Sequence, residues 1–175
     1  TKDSKDVLEK NGIKLISSEF ANSNVDFPAL PQEMYEVTDN KSEFAVLDIG
    51  GDDRGAYALG RYTPSIKEEN NYEMLLVINK YRPLTADAES VVEIMREIEQ
   101  AGGIAFTGIV NNSNLGEETT AQTVLNSVEY ASEVSRITGL PVKMTSVQQS
   151  LYDELKDKID NVFPLKLQHK ITQEV

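Results

Sequence analysis

The sequence predicts an α/β protein with a mostly parallel sheet and helices on both faces. Three observations predict it. Continuous apolar runs of strand length recur at 44–49, 74–78 and 104–110, and such runs suit strands covered on both sides. Stretches with apolar residues at helical spacing separate the later runs. Strand and helix then alternate along the chain, the pattern of right-handed crossovers in a parallel sheet.

The elements follow in order. Val7 and Leu8 sit among charges in a short helix stopped by Gly12, and 13–16 is a short apolar run of strand length. Residues 17–27 read as a Ser- and Asn-rich loop. Pro28 and Pro31 open a helical stretch at 32–37, where proline's missing N–H costs least. The run 44–49 ends in Asp48 and leads into two glycines. Residues 57–62 read as a helix ending near Pro64, and 74–78 as a second buried strand. Thr85 is the expected N-cap of a long helix whose Val91, Val92, Met95 and Ile98 form one stripe, ended by Gly102 and Gly103.

The third strand, 104–110, leads into the polar loop 111–116. A helix over 117–138 carries Val124, Leu125, Val128, Ala131 and Val134, with Gly139 and Pro141 as its stop. Residues 142–147 form a short strand. Leu151, Leu155 and Ile159 mark a last amphipathic helix, and Phe163, Leu165, Leu167 and Ile171 alternate as an edge strand.

The chain has 175 residues, enough for one domain spanning 1–175. With 29 acids against 17 Lys and Arg, its net charge is −12, a field that repels nucleic-acid backbones and anionic membrane surfaces. It contains no Cys and a single His, His169. Disulfides, thiolate metal sites, cysteine nucleophiles and two-His metal sites within one chain are therefore excluded. The lack of Cys fits a cytoplasmic protein. No run approaches the roughly 18–20 apolar residues of a membrane span.

In parallel sheets ligands bind at the carboxyl ends of strands. That directs attention to the loops at 48–55, 79–83 and 111–116. Asp48 ends a buried run two residues before a glycine; a carboxylate there holds Mg²⁺ through water, and the glycine lets backbone approach a terminal phosphate. A turn with a solvated Asp is the competing reading. Gly50 and Gly55 have the spacing of a phosphate loop, but Ala56 and Tyr57 stand where Lys and Ser or Thr are required. No G-x-G-x-x-G occurs either. An acidic pair after a strand also suggests a phosphoacceptor receiver domain, but that needs a further Asp and a Lys at other strand ends, and Asn79, Lys80 and Asn111 do not supply that set.

Residues 44–51, 74–83 and 108–112, followed by Gly139-Leu140-Pro141-Val142, together resemble the MinD/ParA-type branch of P-loop ATPases, over roughly residues 1–151. This branch includes the nitrogenase iron-protein and cobyrinic-acid-synthase nucleotide-binding domains. The resemblance implies that Asp48 is the acid ordering Mg²⁺ through water and that Gly51 senses the γ-phosphate. It implies that Asn111 reads the adenine edge, with Asn112 beside it and Pro141 near the base. An amide offers a donor and an acceptor together, which suits that task; a loop-capping Asn is the alternative.

ATP and Mg²⁺ are the cofactors implied. The implied assembly is a homodimer acting on an unidentified client protein. The chain has no G-K-[ST], so the expectation is a fragment without the phosphate loop or its central strand, inactive as an ATPase alone. A non-enzymatic α/β interaction module is the alternative.

Other residues have plainer readings. Lys80 and Arg82 end the second buried run, where a phosphate, a partner or an internal acid would occupy them. Arg82 stands where a guanine-reading N-K-x-D would need Asp. Glu117 and Glu118 are expected to open the long helix. His169 falls in the apolar phase of the last strand and is expected to be packed.

Overall fold

A computed structural model describes residues 5–16, 44–50 and 53–166. The expectations for 17–43, Gly51, Leu167, His169 and Ile171 lie outside these residues. The chain divides into two compact units, residues 1–71 with 101–103, and residues 72–100 with 104–175.

The first unit contains α1 (Lys5–Lys10), α2 (Asp53–Gly60) and α3 (Thr63–Glu69). The single helix expected over 57–62 is thus two. Pro64 lies in the first turn of α3, and Asn70 closes that helix in the left-handed conformation at φ 51°. Thr63 Oγ1 donates to the Gly102 carbonyl at 2.6 Å, tying α3 to the end of the long helix below. Residues 13–16 form no strand.

The run 44–49 is not a strand either; Phe44 is fully exposed and Val46 is 97% exposed. Strand character depends on a ladder partner, and none of the described strands pairs with this run.

The second unit is the all-parallel α/β sheet that the apolar runs predict. Its strands are β1 (Leu75–Ile78), β2 (Gly108–Asn111), β3 (Val142–Gln148) and β4 (Val162–Leu165), in the spatial order β1-β2-β3-β4. Between them lie α4 (Ala88–Gly102), α5 (Ala121–Thr138) and the short α6 (Tyr152–Leu155). α5 packs on β2 and β3 and α6 on β4, and Val124, Val147 and Leu155 meet in one cluster, so these two helices share a face of the sheet.

The helix ends correct two expectations. The Asp87 carboxylate, not Thr85, accepts the Ser90 N–H at 2.8 Å and caps α4. Thr85 closes a 3₁₀ turn and donates to the Asn79 carbonyl. Glu117 and Glu118 occupy a separate 3₁₀ turn, while Thr120 and Thr123 form a reciprocal capping box at the start of α5. Gly103 and Gly139 follow α4 and α5 at positive φ, where a side chain would be strained.

Strand register separates the two faces of the sheet, because side chains alternate with period two. One face carries Leu76, Ile78, Ile109, Asn111, Thr145 and Val147, all buried. On it Val147 joins Ala121, Val124, Leu155 and Ile159 in one cluster. The other face carries Leu75, Val77, Val110, Met144, Phe163 and Leu165. Here Val77 is 59%, Phe163 49% and Leu165 43% exposed. Among the described residues this second face departs from the doubly covered sheet that continuous apolar runs predict.

At its amino end that face is crossed by Lys143, the extra residue at a register irregularity of β3 opposite Ile109 and Val110, where the strict alternation is interrupted. Its stem lies over Gly108, where an added Cβ would meet Lys143 Cγ at 2.6 Å, and its ammonium reaches Glu73 at 2.8 Å. Lys143 thereby covers apolar surface with its stem while keeping its charge in water.

Candidate functional site

The loops after β1 and β2 are laced together at the carboxyl end of the sheet. Asn79 Oδ1 accepts the N–H groups of Tyr81 and Asn114, and its amide donates to the Asn114 carbonyl. Ser113 Oγ accepts the Lys80 N–H, and the Asn112 N–H bonds the Ile78 carbonyl. Lys80 spends its ammonium on the Asn126 carbonyl of α5 at 2.9 Å. It thereby fastens the loop after β1 to α5. Two of the three loops singled out in the sequence therefore form one crevice wall.

Asn111 and Asn112 point to opposite sides. Asn111 ends β2 on the covered face with 0% exposure; its Nδ2 donates to Ser127 Oγ at 2.9 Å and its Oδ1 accepts the Ser113 N–H. Both halves of the amide are thus engaged inside the fold, as in the loop-capping alternative. Asn112 is half-buried. Its Oδ1 accepts from Ser146 Oγ at 2.5 Å, and its Nδ2 donates to no described residue.

Asn112 opens onto a pocket of about 240 Å³, lined also by Asn114, Thr119, Ser146, Gln148, Leu165 and Lys166. Gln148 Nε2 donates to the Gly116 carbonyl at 2.6 Å, which leaves Oε1 as an acceptor. Lys166 has no ion-pair partner among the described residues. The pocket thus offers an amide donor, an amide acceptor and one cation beside the apolar side chain of Leu165. Drug-sized ligands occupy roughly 300–1,000 Å³, so this volume suits a single small ring system.

Ser146, Gln148 and Lys166 were not anticipated from the sequence. The signal was present: they end β3 and β4, and the carboxyl-end rule applies there as it does after β2.

Pro141 does not belong to this pocket. Its carbonyl accepts the Ile109 N–H at 2.9 Å, at the amino end of β3. Gln148 ends the same strand about 20 Å away at the usual rise per residue. The structure therefore does not bring Pro141 together with Asn111 and Asn112.

Asp48 belongs to the first unit and is exposed, in a segment without regular structure. Gly50 and Gly55 meet closely: a Cβ on Gly55 would lie 2.8 Å from the Gly50 carbonyl oxygen, so only glycine fits there. The described residues contain no group of three or more acidic, His or Cys side chains placed to hold a metal.

A second concavity, of about 330 Å³, lies against α5 between Lys80, Tyr130, Glu129 and Glu133. Tyr130 donates to the Thr85 carbonyl at 2.5 Å, and burial pushes its phenol up to about 12. Glu133 is paired with Arg136, whose guanidinium holds the carboxyl below its usual range. With its phenol, ammonium and one acid already engaged, this hollow has few polar groups left for a ligand.

No protein-family model, curated protein or solved structure matches the chain. Among the described residues no helix is long and apolar enough to cross a membrane.

Proposed function

We propose that this chain is the base-holding part of a cytoplasmic ATP-binding protein of the MinD/ParA type. The observation that supports it is the pocket at the carboxyl ends of β2, β3 and β4, whose lining includes Asn112 with an unengaged amide donor and Gln148 with an unengaged amide acceptor. A purine edge has that complementary pattern. The base-reading role moves from Asn111, whose amide is engaged, to Asn112. Asp48 and Gly51 keep the phosphate-end roles that the resemblance implies, with Mg²⁺ held through water. The lysine that grips the β- and γ-phosphates would come from outside this sequence, and hydrolysis, coupled to pairing of two copies and to a client protein, would require it.

The reading makes a specific demand. Adenosine and ATP should bind this chain about equally, near 1 mM or a binding free energy of about −4 kcal/mol, because the phosphates find no lysine loop. Titration followed by amide chemical shifts should perturb Asn112, Gln148 and Lys166 with either ligand, with or without Mg²⁺. Gln148→Ala should abolish the shifts. Absence of any adenosine-induced shift at saturating ligand would remove the base-site reading.

A second reading, a non-enzymatic protein-interaction module, is favoured by the apolar outer face bearing Val77, Phe163 and Leu165. It predicts no nucleotide response and an unchanged partner affinity in Gln148→Ala.

A further inference from the structure

The two amides that line the pocket at the strand ends are each held one way round. An amide has a donor at one end and an acceptor at the other, and turning it over exchanges them. Gln148 is set by the Gly116 carbonyl, which can only accept. Nε2 therefore lies against that carbonyl at 2.6 Å, and Oε1 is left as an acceptor. Asn112 is set by a hydroxyl. Ser146 Oγ lies 2.5 Å from Asn112 Oδ1. That separation fits an O–H···O bond and is too short for an ordinary N–H···O bond, so Ser146 donates and the Asn112 side-chain carbonyl accepts. Ser146 has one proton to give, and the Asn111 carbonyl, at 3.5 Å, is at the far limit of a bond. Nδ2 is the end of Asn112 left for a ligand.

Strand geometry brings these groups to one side of the sheet. Asn111 pairs in register with Thr145, so Asn112 falls level with Ser146. Ser146 and Gln148 are two residues apart on β3, which puts them on one face about 7 Å apart. Ser146 is 7% exposed and its proton is committed to Asn112, so it acts on a ligand through that amide.

We propose that Ser146 is the positioning residue that sets the specificity of this pocket: by fixing the Asn112 amide, it makes the pocket read the order of donor and acceptor on the ligand. A ligand must bring an acceptor to Asn112 and a donor to Gln148. Adenine carries an exocyclic amino donor beside a ring-nitrogen acceptor. Hypoxanthine carries the reverse, a carbonyl acceptor beside a ring N–H donor. The pocket therefore takes the amino purine and rejects the oxo purine. This inference rests on the base-holding reading above and adds the residue that enforces the choice.

Adenosine and inosine monophosphate share sugar and phosphate and differ in this edge of the base, so Lys166 meets the same groups in both. Each is titrated against the chain and followed by amide chemical shifts. The wild-type chain should hold inosine monophosphate about tenfold more weakly, because its edge leaves the two desolvated amide groups unpaired. In Ser146→Ala the Asn112 amide can turn over, and the ratio of the two affinities should fall toward one. Ser146→Thr, which keeps a hydroxyl, should restore it. Asn112→Asp replaces the presented donor with an acceptor and keeps the bond from Ser146, so it should reverse the preference. A purely structural role for Ser146 would move both affinities together and leave their ratio unchanged.

Equal affinities in the wild-type chain, or a preference there for inosine monophosphate, overturn this inference and leave the base site standing. So does a wild-type ratio in a Ser146→Ala chain with native amide shifts, or an unreversed preference in Asn112→Asp. Binding of neither nucleotide by the wild-type chain removes the base site, and this inference with it.

Discussion

The two faces of the four-stranded sheet are built from similar residues and have different surroundings. On the helix side, Ile78 and Ile109 are fully buried, and Val147 is locked into a cluster with Val124 and Leu155. On the other side, Val77, Phe163 and Leu165 keep about half their surface in water. A soluble monomer has no use for an apolar second face, and parallel sheets occur almost only with both faces covered. The difference indicates that hydrophobic residues record the surroundings a strand is made for, while the contacts of a single chain record only what that chain supplies.

The comparison is broken most strongly by mutating one apolar side chain in the cluster under the helices and one on the open face of the sheet. Leu155→Ala, fully buried on the helix side, should lower unfolding free energy by about 2–5 kcal/mol in urea titration. Phe163→Ala on the open face should cost well under half of that. Equal losses would mean that the open face is covered in solution.

Asn111→Ala should come next. It leaves the buried Ser113 N–H without its acceptor, a loss of about 1–3 kcal/mol, and adenosine-induced shifts should persist once ligand is in excess. Asn112→Ala, one residue along and on the other side, should spare stability and lose those shifts. If Asn111→Ala abolishes binding while leaving stability intact, the assignment of the two asparagines is reversed.

A smaller effect concerns α5. Tyr130 has its phenol raised by burial to about 12 from an ordinary value near 10. A raised folded-state value means the contribution is fully present below about pH 10 and is lost as pH rises through about 12. Tyr130→Phe should therefore flatten the fall in stability over that alkaline window, while losing about 1 kcal/mol at neutral pH with the hydrogen bond to Thr85.

The smallest effect belongs to the open face. Gly108→Ala should displace the Lys143 stem and free Glu73, a change visible as altered lysine and glutamate side-chain signals with stability nearly unchanged.

Much of the second unit was legible in the sequence, because its information is local. Apolar runs locate β1, β2 and β3, and the stripes through Val91–Ile98 and Val124–Val134 locate α4 and α5. The misreadings share a cause: a pattern decided by something beyond its own window. Residues 44–49 have strand chemistry, but a strand needs a neighbour. Asp87 displaced Thr85 as a cap, and Thr120 displaced the two glutamates, because backbone geometry over three residues chooses among several eligible caps.

The pocket was half legible. The carboxyl-end rule found the loop after β2 but was not applied after β3, which left Gln148 unnoticed. Asn111 and Asn112 are chemically identical, and only the parity of the pleat separates a buried brace from a pocket residue.

The strand order has one further consequence, for the time course of folding. Each strand of the sheet pairs with the one made just before it, so no part of the ladder waits for a distant segment to arrive. Such local pairing favours rapid folding, and on the ribosome the sheet can lengthen one crossover at a time, from β1 toward β4. Among the described strands β1 is then the first to form, and β4 with its Pro164 is the last to pair.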